Sequence, residues 1–337
     1  MKNKPLISVI MAAYNSERFI GEAIASVIYQ TYKNWELIIV DDCSTDNTAT
    51  EIKKYTTGKQ IIYLKNDGNK GAAYSRNRAI SAANGEFLAI LDADDYALPL
   101  RFATQVEFLN AHACIDAAGS FVQEINETGK LLRHSKLPIN PQEIACSTFF
   151  VGSIVHSSAM LRRDFFLRNN LFYDETFPSA HDYEMWSRAI GFGKIYNIPR
   201  YLTCYRYSEM QISSAKKEEQ IKNAQRITAV FLEKLGFTEK DKLLELHSIF
   251  VNQRKFNNTS YTIKDIVDWA VKIYEANKKV KLFPVRAFAN ELILRFMRFC
   301  FVNKFSYITI LKKVIYLNIR FKGLFFPYFQ LFDRISK

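Results

Sequence analysis

The chain has 337 residues, with 46 lysines and arginines against 34 aspartates and glutamates, and a formal net charge of +12. Because 48% of its residues are hydrophobic and only five are cysteines, it is not a disordered, collagen-like or disulfide-stapled protein. Its length allows one large α/β domain, or a domain with a sizeable appendage.

The cysteines and the apolar runs indicate the compartment. Five cysteines without a Cys-x-x-Cys spacing argue against a disulfide framework or a zinc site and favour a reducing environment. The N-terminus has too few apolar residues for a signal peptide, and no apolar run reaches the roughly 18 residues of a spanning helix. We therefore expect a cytoplasmic protein without a transmembrane segment.

Short apolar runs alternate with helix-length amphipathic segments over the first 113 residues. The predicted strands are 6–11, 37–40, 61–64 and 87–91, each followed by a segment of helical spacing. Such alternation is typical of a mostly parallel sheet, in which ligands bind beyond the carboxyl ends of the strands. Polar residues follow three of these strands, at Tyr14-Asn15, Asp41-Asp42 and Asp92 to Asp95.

The acidic cluster after the fourth predicted strand contains Asp92, Asp94 and Asp95. Three neighbouring carboxylates repel one another unless a cation or hydrogen-bond donors compensate their charge. Mg²⁺ and Mn²⁺ prefer oxygen ligands and commonly share them with a substrate diphosphate. The cluster therefore predicts a divalent metal site, with an acidic turn and helix cap as the alternative.

Two other strand ends provide further candidates. Asp41 and Asp42 can accept hydrogen bonds from a ribose hydroxyl or a base N–H, or can cap the following helix. Gly71 and Arg76 lie where the third predicted helix begins, and a helix N-terminus favours anions such as phosphate.

Four segments together resemble the family-2 glycosyltransferases, in the same order along the chain. They are Ser8 to Asn15, Val40 to Asp46, Gly71 to Asn77 and Gly85 to Asp95. The resemblance implies the GT-A fold, a Rossmann-like, mostly parallel α/β sheet flanked by helices. It also implies an inverting hexosyltransferase whose nucleotide-sugar donor, most often UDP-linked, is bridged by a divalent metal, Mn²⁺ or Mg²⁺.

The resemblance also assigns roles to individual positions of this chain. Asp94 would ligate the metal, and Asp92 would face the ribose or the sugar. The other donor-side positions are Ala12, Ala13 and Tyr14 at the uridine pocket, Asp41 and Asp42 near the base, and Gly71, Arg76 and Asp95.

The segment Ser179 to Trp186 resembles the family's segment that carries the catalytic base, and Asp182 aligns with that base. A single displacement at an anomeric carbon needs one carboxylate to take the acceptor proton. Without the resemblance, Asp182 would be a charge at a helix N-terminus. His181 stands where the family usually has glutamate, and Cys43 where it commonly has glycine. The chain has no Gln-x-x-Arg-Trp segment, which favours addition of a single sugar.

Two further positions have open alternatives. His156 contacts the donor diphosphate or the acceptor, or it is a buried histidine with satisfied nitrogens. Arg206 belongs to Tyr205-Arg206-Tyr207, which together with the following Gln211 to Ser213 resembles the family's loop that closes near the donor. It pairs with phosphate or forms a surface salt bridge.

The charge is concentrated at the C-terminal end of the chain. Residues 278–337 contain 13 basic and two acidic side chains, a net charge of +11, which leaves +1 for residues 1–277. Two apolar stripes at helical spacing lie in this tail: Phe288, Leu292, Phe296 and Phe299, then Ile308, Leu311, Ile315 and Ile319. Basic amphipathic helices of this kind lie in membrane interfaces. The alternative is a helical subdomain packed on the catalytic core.

These patterns predict a GT-A catalytic domain over 1–213, divided into a nucleotide-sugar part (1–113) and an acceptor and base part (114–213). A helical region (214–282) and a basic, aromatic, amphipathic tail (283–337) follow. The predicted function is transfer of one sugar from a UDP-sugar to a saccharide on polyprenyl diphosphate. It would serve O-antigen or capsule synthesis, with the enzyme peripheral at the inner face of the cell membrane.

Two other functions fit parts of these patterns. One is a related nucleotide-sugar or nucleotidyl transferase of similar fold. The other is a basic nucleic-acid-binding protein. Since the excess charge is confined to an apolar-rich tail without a recognisable reading motif, we expect no nucleic-acid partner.

Overall fold

The structure is a computed structural model that describes residues 4–58, 60–208, 217–252 and 259–321. The chain forms two compact units, the first from Met1–Ile144 and Gly152–Asn223, the second from Ala145–Val151 and Ala224–Lys337. The predicted donor-closing segment Gln211 to Ser213 and the last residues of the basic tail, 322–337, lie outside the described residues.

The first unit begins with four parallel strands: β1 (Ile7–Ala13), β2 (Trp35–Asp41), β3 (Ile61–Lys65) and β4 (Phe87–Ile90). The helices α1 (Ile20–Ile28), α2 (Thr48–Lys53) and α3 (Ala72–Ser81) connect them. The apolar runs of β1, β2 and β4 are buried throughout, as expected of strands that are covered on both faces. The predicted strand–helix alternation is confirmed.

The second part of this unit extends the sheet with antiparallel pairs and one long parallel pair, β6 with β9. Its strands are β5 (Tyr96–Ala97), β6 (Ala117–Ile125), β7 (Leu131–Ser135), β8 (Met160–Arg162) and β9 (Ile195–Arg206). Its helices are α4 (Arg101–Ala111), α5 (Pro141–Thr148, with its residues from Ala145 in the second unit), α6 (Arg163–Arg168) and α7 (His181–Ala189). Within the described residues the strand order is β3-β2-β1-β4-β8-β6-β9-β5, and β7 pairs with β6. The fold class predicted from the sequence, a mostly parallel GT-A-like sheet with a helical extension, is confirmed.

Side chains on successive residues of a strand point to opposite faces, and this alternation divides the core of the first unit. Ile7, Val9 and Met11 pack in one apolar cluster together with residues of α1 and α4. Ile10 packs in the other, with residues of α3, α6 and α7. Both faces of the sheet are therefore covered, and the strand ends remain the place where polar residues collect.

Local details differ from the sequence prediction. The segment 154–161 has the apolar pattern of a strand, but it forms a short 3₁₀ turn, His156–Ser158, followed by β8. The segments 194–198 and 202–207 read as two strands in the sequence, but both belong to the single strand β9, whose register against β6 shifts near Phe121. The apolar pattern alone did not show this irregular pairing.

The second unit consists of helices around an aromatic core. They are α8 (Lys217–Lys234, with its residues up to Asn223 in the first unit), α9 (Asp241–Asn252), α10 (Ile263–Val280), α11 (Val285–Val302) and α12 (Tyr307–Arg320). Phe149 and Phe150 from the 145–151 segment contact the rings of His247 and Phe288. No helix in the described ranges is long and apolar enough to cross a membrane.

Helix α11, the first part of the predicted tail (283–337), packs with the helices of the predicted helical region (214–282). The stripe Phe288, Leu292, Phe296 and Phe299 on α11 is fully buried in the same core as α9 and α10. These side chains pack against Phe149, Phe150 and Phe250, so α11 is part of the helical unit. The first apolar stripe therefore belongs to the core of the helical unit.

Three buried histidines make stability depend on pH. Burial and the Arg295 cation lower the pKa of His247 to about 3, while burial and the Arg76 cation lower the pKa of His156 to about 4 and that of His181 to about 3. An unfolded histidine has a pKa of about 6.5. Since the unfolded chain then binds more protons, the free energy of unfolding falls as pH decreases from about 6.5 toward these folded values.

We expect His247→Phe to weaken this dependence. Phenylalanine fits the aromatic surroundings of His247 but cannot bind a proton, so the variant should lose about 2 kcal/mol less than wild type between pH 7 and pH 5. Urea unfolding at both pH values measures the difference. An unchanged pH slope would contradict the neutral state of His247.

Candidate active site

The carboxyl ends of β1, β2 and β4 lie side by side. Ala13 pairs with Asp41 across β1 and β2, and Ile10 pairs with Ile90 across β1 and β4. The loop after β1 is joined to the loop after β2, because the Asn15 amide donates to Ser44 Oγ over 3.0 Å. Asn15 Oδ1 in turn accepts from the Thr45 amide over 2.9 Å. Tyr14 is exposed at this edge, while Ala12 is half-buried and Ala13 buried. The structure therefore brings these predicted donor-side residues to one edge of the sheet.

Asp41 is fully buried at the end of β2, and both of its oxygens accept hydrogen bonds. The Ser44 amide donates to Oδ1 over 2.9 Å, and the Tyr63 hydroxyl donates to Oδ2 over 3.0 Å. Burial and this carboxylate raise the pKa of Tyr63 to about 12. Neither Asp41 nor Ser44 caps α2, whose N-cap residue is Asn47. Asp41 therefore holds the turn that contains Cys43, whose φ of +62° lies in the region that favours glycine.

Asp42 holds the loop that leads into α3. Its Oδ2 accepts from the Gly71 amide over 2.7 Å, and its Oδ1 accepts from the Lys70 amide over 2.8 Å and from Asn66 Nδ2 over 2.7 Å. Gly71 has a φ of +93°, a conformation open to glycine and strained for other residues. The predicted pair of aspartates is therefore present at the site, and both aspartates shape its loops.

A buried arginine connects the acidic cluster to α7. Arg76 Nη2 lies 2.5 Å from Asp92 Oδ1, and Arg76 Nη1 donates to His181 Nε2. Burial by itself raises the pKa of Asp92. Arg76, together with His156 and Ser157, outweighs burial and holds that pKa well below its usual range. Burial also lowers the pKa of Arg76, but Asp92 and, more weakly, Asp182 bring it above its ordinary value. The sequence did not reveal this contact, since 105 positions separate Arg76 from His181.

His181 acts here as a neutral acceptor. Because arginine can only donate, Nε2 of His181 carries no proton, and the low pKa of the ring keeps it uncharged. A glutamate at this position would place a second carboxylate beside Asp182. The histidine therefore removes one negative charge from the neighbourhood of the predicted base.

His156 is buried with both ring nitrogens hydrogen-bonded. Trp186 Nε1 donates to Nδ1 over 3.2 Å, so the proton lies on Nε2, which is 2.9 Å from the Tyr173 hydroxyl. The side chain next in sequence, Ser157, accepts a hydrogen bond from the Asp92 amide over 3.0 Å. This arrangement favours the buried, satisfied histidine over a ligand of the diphosphate. Tyr173 and Ser157 had no recognisable signal in the sequence.

Arg206 at the end of β9 is almost fully buried and holds the acidic loop. Its amide donates to Asp95 Oδ1 over 2.7 Å, and its Nε donates to the Asp94 carbonyl over 2.8 Å. Its guanidinium also forms an ion pair with Glu22 and lies 4.5 Å from the Phe19 ring centroid. The salt bridge is therefore buried at its arginine end, and the guanidinium positions the loop on which the predicted metal ligand lies.

Arg101 on α4 is a site residue that the sequence analysis missed. Its Nη2 donates to the carbonyl of Ile90 over 2.8 Å and to that of Ala159 over 3.0 Å, just before the acidic cluster. Burial lowers the pKa of Arg101 to about 9, although Asp95 and Asp92 oppose the shift. Arg101 and Gln105 are four residues apart, so they lie on the same side of a helix as its apolar residues. A charged side chain on that side needs a buried partner, and this pattern was a signal in the sequence.

The predicted base, Asp182, lies in the first turn of α7 and is half-buried. Ala180 just before the helix has a φ of +59°, a strained conformation for alanine. The preceding Ser179 is held by Asn223, whose Nδ2 donates to its carbonyl over 3.0 Å. Asp182 is near enough to Arg76 and Tyr173 to raise the pKa of both. Because the neighbouring His181 contacts Arg76, the start of α7 holds Asp182 near the Arg76–Asp92 pair.

The acidic loop has the chemistry of a site for a hard divalent cation. Burial and the carboxylates of Asp94 and Asp92 raise the pKa of Asp95 well above its ordinary value. Its buried Oδ2 has no hydrogen-bond partner in the part of the chain that the structure describes. Among those residues, no three His, Cys, Asp or Glu side chains converge as a complete metal-binding cluster. The loop therefore contains carboxylate oxygens of the kind that a hard divalent cation prefers as ligands.

A mostly parallel sheet with acidic loops at its strand ends and helices on both faces is typical of α/β enzymes that bind their ligands at those ends. The model of Glycosyl transferase family 2 matches residues 8–169. An uncharacterized glycosyltransferase of Haemophilus influenzae is 30% identical over 77% of this chain and 86% of its own length. The chain belongs to glycosyltransferase family 2.

Two other similarities concern proteins with named substrates. The first is UDP-Glc:alpha-D-GlcNAc-diphosphoundecaprenol beta-1,3-glucosyltransferase WfgD of Escherichia coli. It is 32% identical over 64% of this chain and 82% of its own length. The second is the crystal structure of S. aureus TarS 1-349 in complex with UDP-GlcNAc, with a TM-score of 0.58 at 19% identity. It covers 94% of this chain and 91% of TarS 1-349, and it confirms the GT-A fold.

Proposed function

We propose that this glycosyltransferase transfers one sugar from a UDP-sugar, with inversion, to a hydroxyl of a polyprenyl-diphosphate-linked saccharide. The observation that carries the proposal is the position of Asp182, fixed after the strained Ala180 and next to the Arg76–Asp92 pair at the end of β4. A direct displacement requires one base on the acceptor side and a stabilised diphosphate on the other. The described residues provide a candidate for each.

With Asp182 as the base, the proposed reaction is a single displacement at the anomeric carbon. Asp182 takes the proton of the acceptor hydroxyl as its oxygen bonds to the anomeric carbon. The bond from that carbon to the diphosphate breaks on the opposite face, and UDP departs. Asp94 would hold a divalent cation that stabilises the charge of the departing diphosphate when it is bound. Arg76 and Arg206 position Asp92 and the acidic loop, while Tyr14 and the β1 and β2 ends are placed to receive the nucleotide.

The donor and acceptor classes are supported by the relatives. The named E. coli protein uses UDP-Glc and a diphosphoundecaprenol acceptor, and TarS was solved with UDP-GlcNAc. The chain covers 82% of the first and 91% of the TarS fragment. We extend both features to this chain and place it in surface polysaccharide synthesis, at the cytoplasmic face of the membrane, where it would act as a peripheral enzyme.

A donor screen tests the proposal. The full chain is incubated with Mn²⁺, each of UDP-Glc, UDP-Gal, UDP-GlcNAc and UDP-GalNAc, and a lipid-diphosphate saccharide. We expect one donor to give UDP and an elongated acceptor whose new linkage has the anomeric configuration opposite to that of the donor. Release of pyrophosphate would show a nucleotidyl transferase instead, and a retained configuration would refute the single displacement.

A further inference from the structure

Helix α12 has apolar residues on two opposite faces. Val314, Leu317 and Phe321 at its end are buried, and the Phe321 ring lies 4.1 Å from that of Tyr274. A helix on a protein surface needs only one such stripe to pack on its own unit. The second predicted stripe (Ile308, Leu311, Ile315 and Ile319) is nevertheless on the outside, where Ile308 is 65% and Ile319 70% exposed.

Of the two apolar stripes in the C-terminal part, one is therefore buried and the other is exposed. The α11 stripe is the core of the helical unit, whereas the α12 stripe, which we call the outer face, is covered by nothing in the described residues. Phe301 at the end of α11 is also exposed, at 63%. Four aliphatic side chains aligned at 3.6-residue spacing form a continuous apolar strip and not scattered surface residues.

Charge indicates what covers this strip. From Phe296 to Phe321 the chain has five basic and no acidic residues. Lys312 is exposed among the outer-face residues, and Lys304 and Arg320 are exposed at the two ends of α12. Their aliphatic stems can lie along apolar surface while the charged ends reach outward to phosphates. An apolar strip edged by cations matches a bilayer interface with anionic headgroups.

We propose that the outer face of α12 lies in the interface of an anionic lipid bilayer and holds the enzyme at the membrane. A second copy of the chain would bring two like-charged faces together, which costs free energy. Nucleic acid would engage the cations but leave the isoleucines exposed to water. The inference rests on the surface of α12 and not on the proposed chemistry, although the two agree on where a lipid-linked acceptor would be met.

Vesicle binding by the full chain tests the inference. We expect binding to vesicles of phosphatidylglycerol and phosphatidylcholine that weakens with salt, and little binding to phosphatidylcholine alone. The variant Ile308→Asn/Ile319→Asn should bind at least about tenfold more weakly, because both side chains lose their apolar burial. Lys312→Gln/Arg320→Gln should lose about tenfold and become less sensitive to salt.

The controls separate this surface from folding and from catalysis. Tyr29→Asn/Phe192→Asn removes two exposed aromatic residues of the first unit and should bind vesicles as wild type does. Because Ile308 and Ile319 are largely exposed, their variant should unfold at the wild-type urea concentration. It should glycosylate a water-soluble acceptor at the wild-type rate and a vesicle-embedded acceptor slowly. If the wild-type protein showed no transferase activity with any donor, the proposed function would be refuted. The vesicle-binding measurement would still test the membrane inference.

Three results would overturn the inference. One is equal vesicle binding by wild type and the Ile308→Asn/Ile319→Asn variant. Another is binding of duplex DNA, but not vesicles, at physiological salt. The third is a wild-type dimer in sedimentation that the same variant dissociates, without vesicle binding by either, which would make the outer face an interface between copies.

Discussion

Asp182→Asn is expected to abolish sugar transfer while leaving UDP binding unchanged. The amide has nearly the shape of the carboxylate but cannot take the acceptor proton, so the rate should fall by about 10²- to 10⁴-fold. Asp182 lies on α7, beside the Arg76–Asp92 pair, and not among the loops that shape the nucleotide side. Single-turnover transfer and UDP titration by calorimetry measure the two effects separately.

The matched control for this variant is Glu175→Gln in the segment that precedes α7. Glu175 is exposed and its carboxylate accepts only a long hydrogen bond, 3.3 Å from Asn77 Nδ2. The control should transfer sugar at the wild-type rate. Transfer by Asp182→Asn at close to the wild-type rate would refute the assignment, and loss of UDP binding would show that the substitution disturbed the nucleotide side.

Arg76→Met is expected to destabilise the fold and to impair transfer. Removing the guanidinium leaves the largely buried Asp92 carboxylate without its counterion and His181 without its donor. Breaking a buried pair on one side costs about 3 to 5 kcal/mol in the free energy of unfolding. Since Arg76 joins the end of β4 to α7, transfer should slow as well.

A double-mutant cycle distinguishes this pair from general damage to the core. Arg76→Met/Asp92→Asn should be more stable than the sum of the single changes predicts, with a coupling energy of about 1 to 3 kcal/mol. Arg168→Met is the matched control, because the exposed Arg168 pairs with Asp116 and Asp164 near the surface. It should change the unfolding free energy by about 1 kcal/mol or less. Additive single effects would contradict the coupling of Arg76 to Asp92.

Much of the catalytic unit was predictable from local patterns. Strand and helix periods are short-range, so the four βα units and the polar ends of β1, β2 and β4 were visible without coordinates. The segment around His156 is a counterexample. Residues 154–161 have the apolar pattern of a strand, but they form a turn before β8.

The partners of the site residues were not predictable in this way. Arg206 and Glu22 are 184 positions apart, and Arg76 and His181 are 105 apart. Such pairs form because sheet register and crossovers bring distant segments together, and no periodicity encodes them. Arg76 and Arg206 are the two arginines that the sequence suggested as phosphate ligands. In the structure Arg76 pairs with Asp92, and Arg206 forms hydrogen bonds with the acidic loop.

The amino-acid sequence by itself determined the family resemblance, the sheet with its acidic strand ends and the concentration of positive charge at the C-terminal end. Only the tertiary structure decided which apolar stripe of that end is core and which faces outward. The two stripes have the same spacing and similar hydrophobicity, and periodicity reports only that a face is apolar. Whether other side chains cover that face depends on packing between helices, here the aromatic core that buries Phe288 and leaves Ile319 outside.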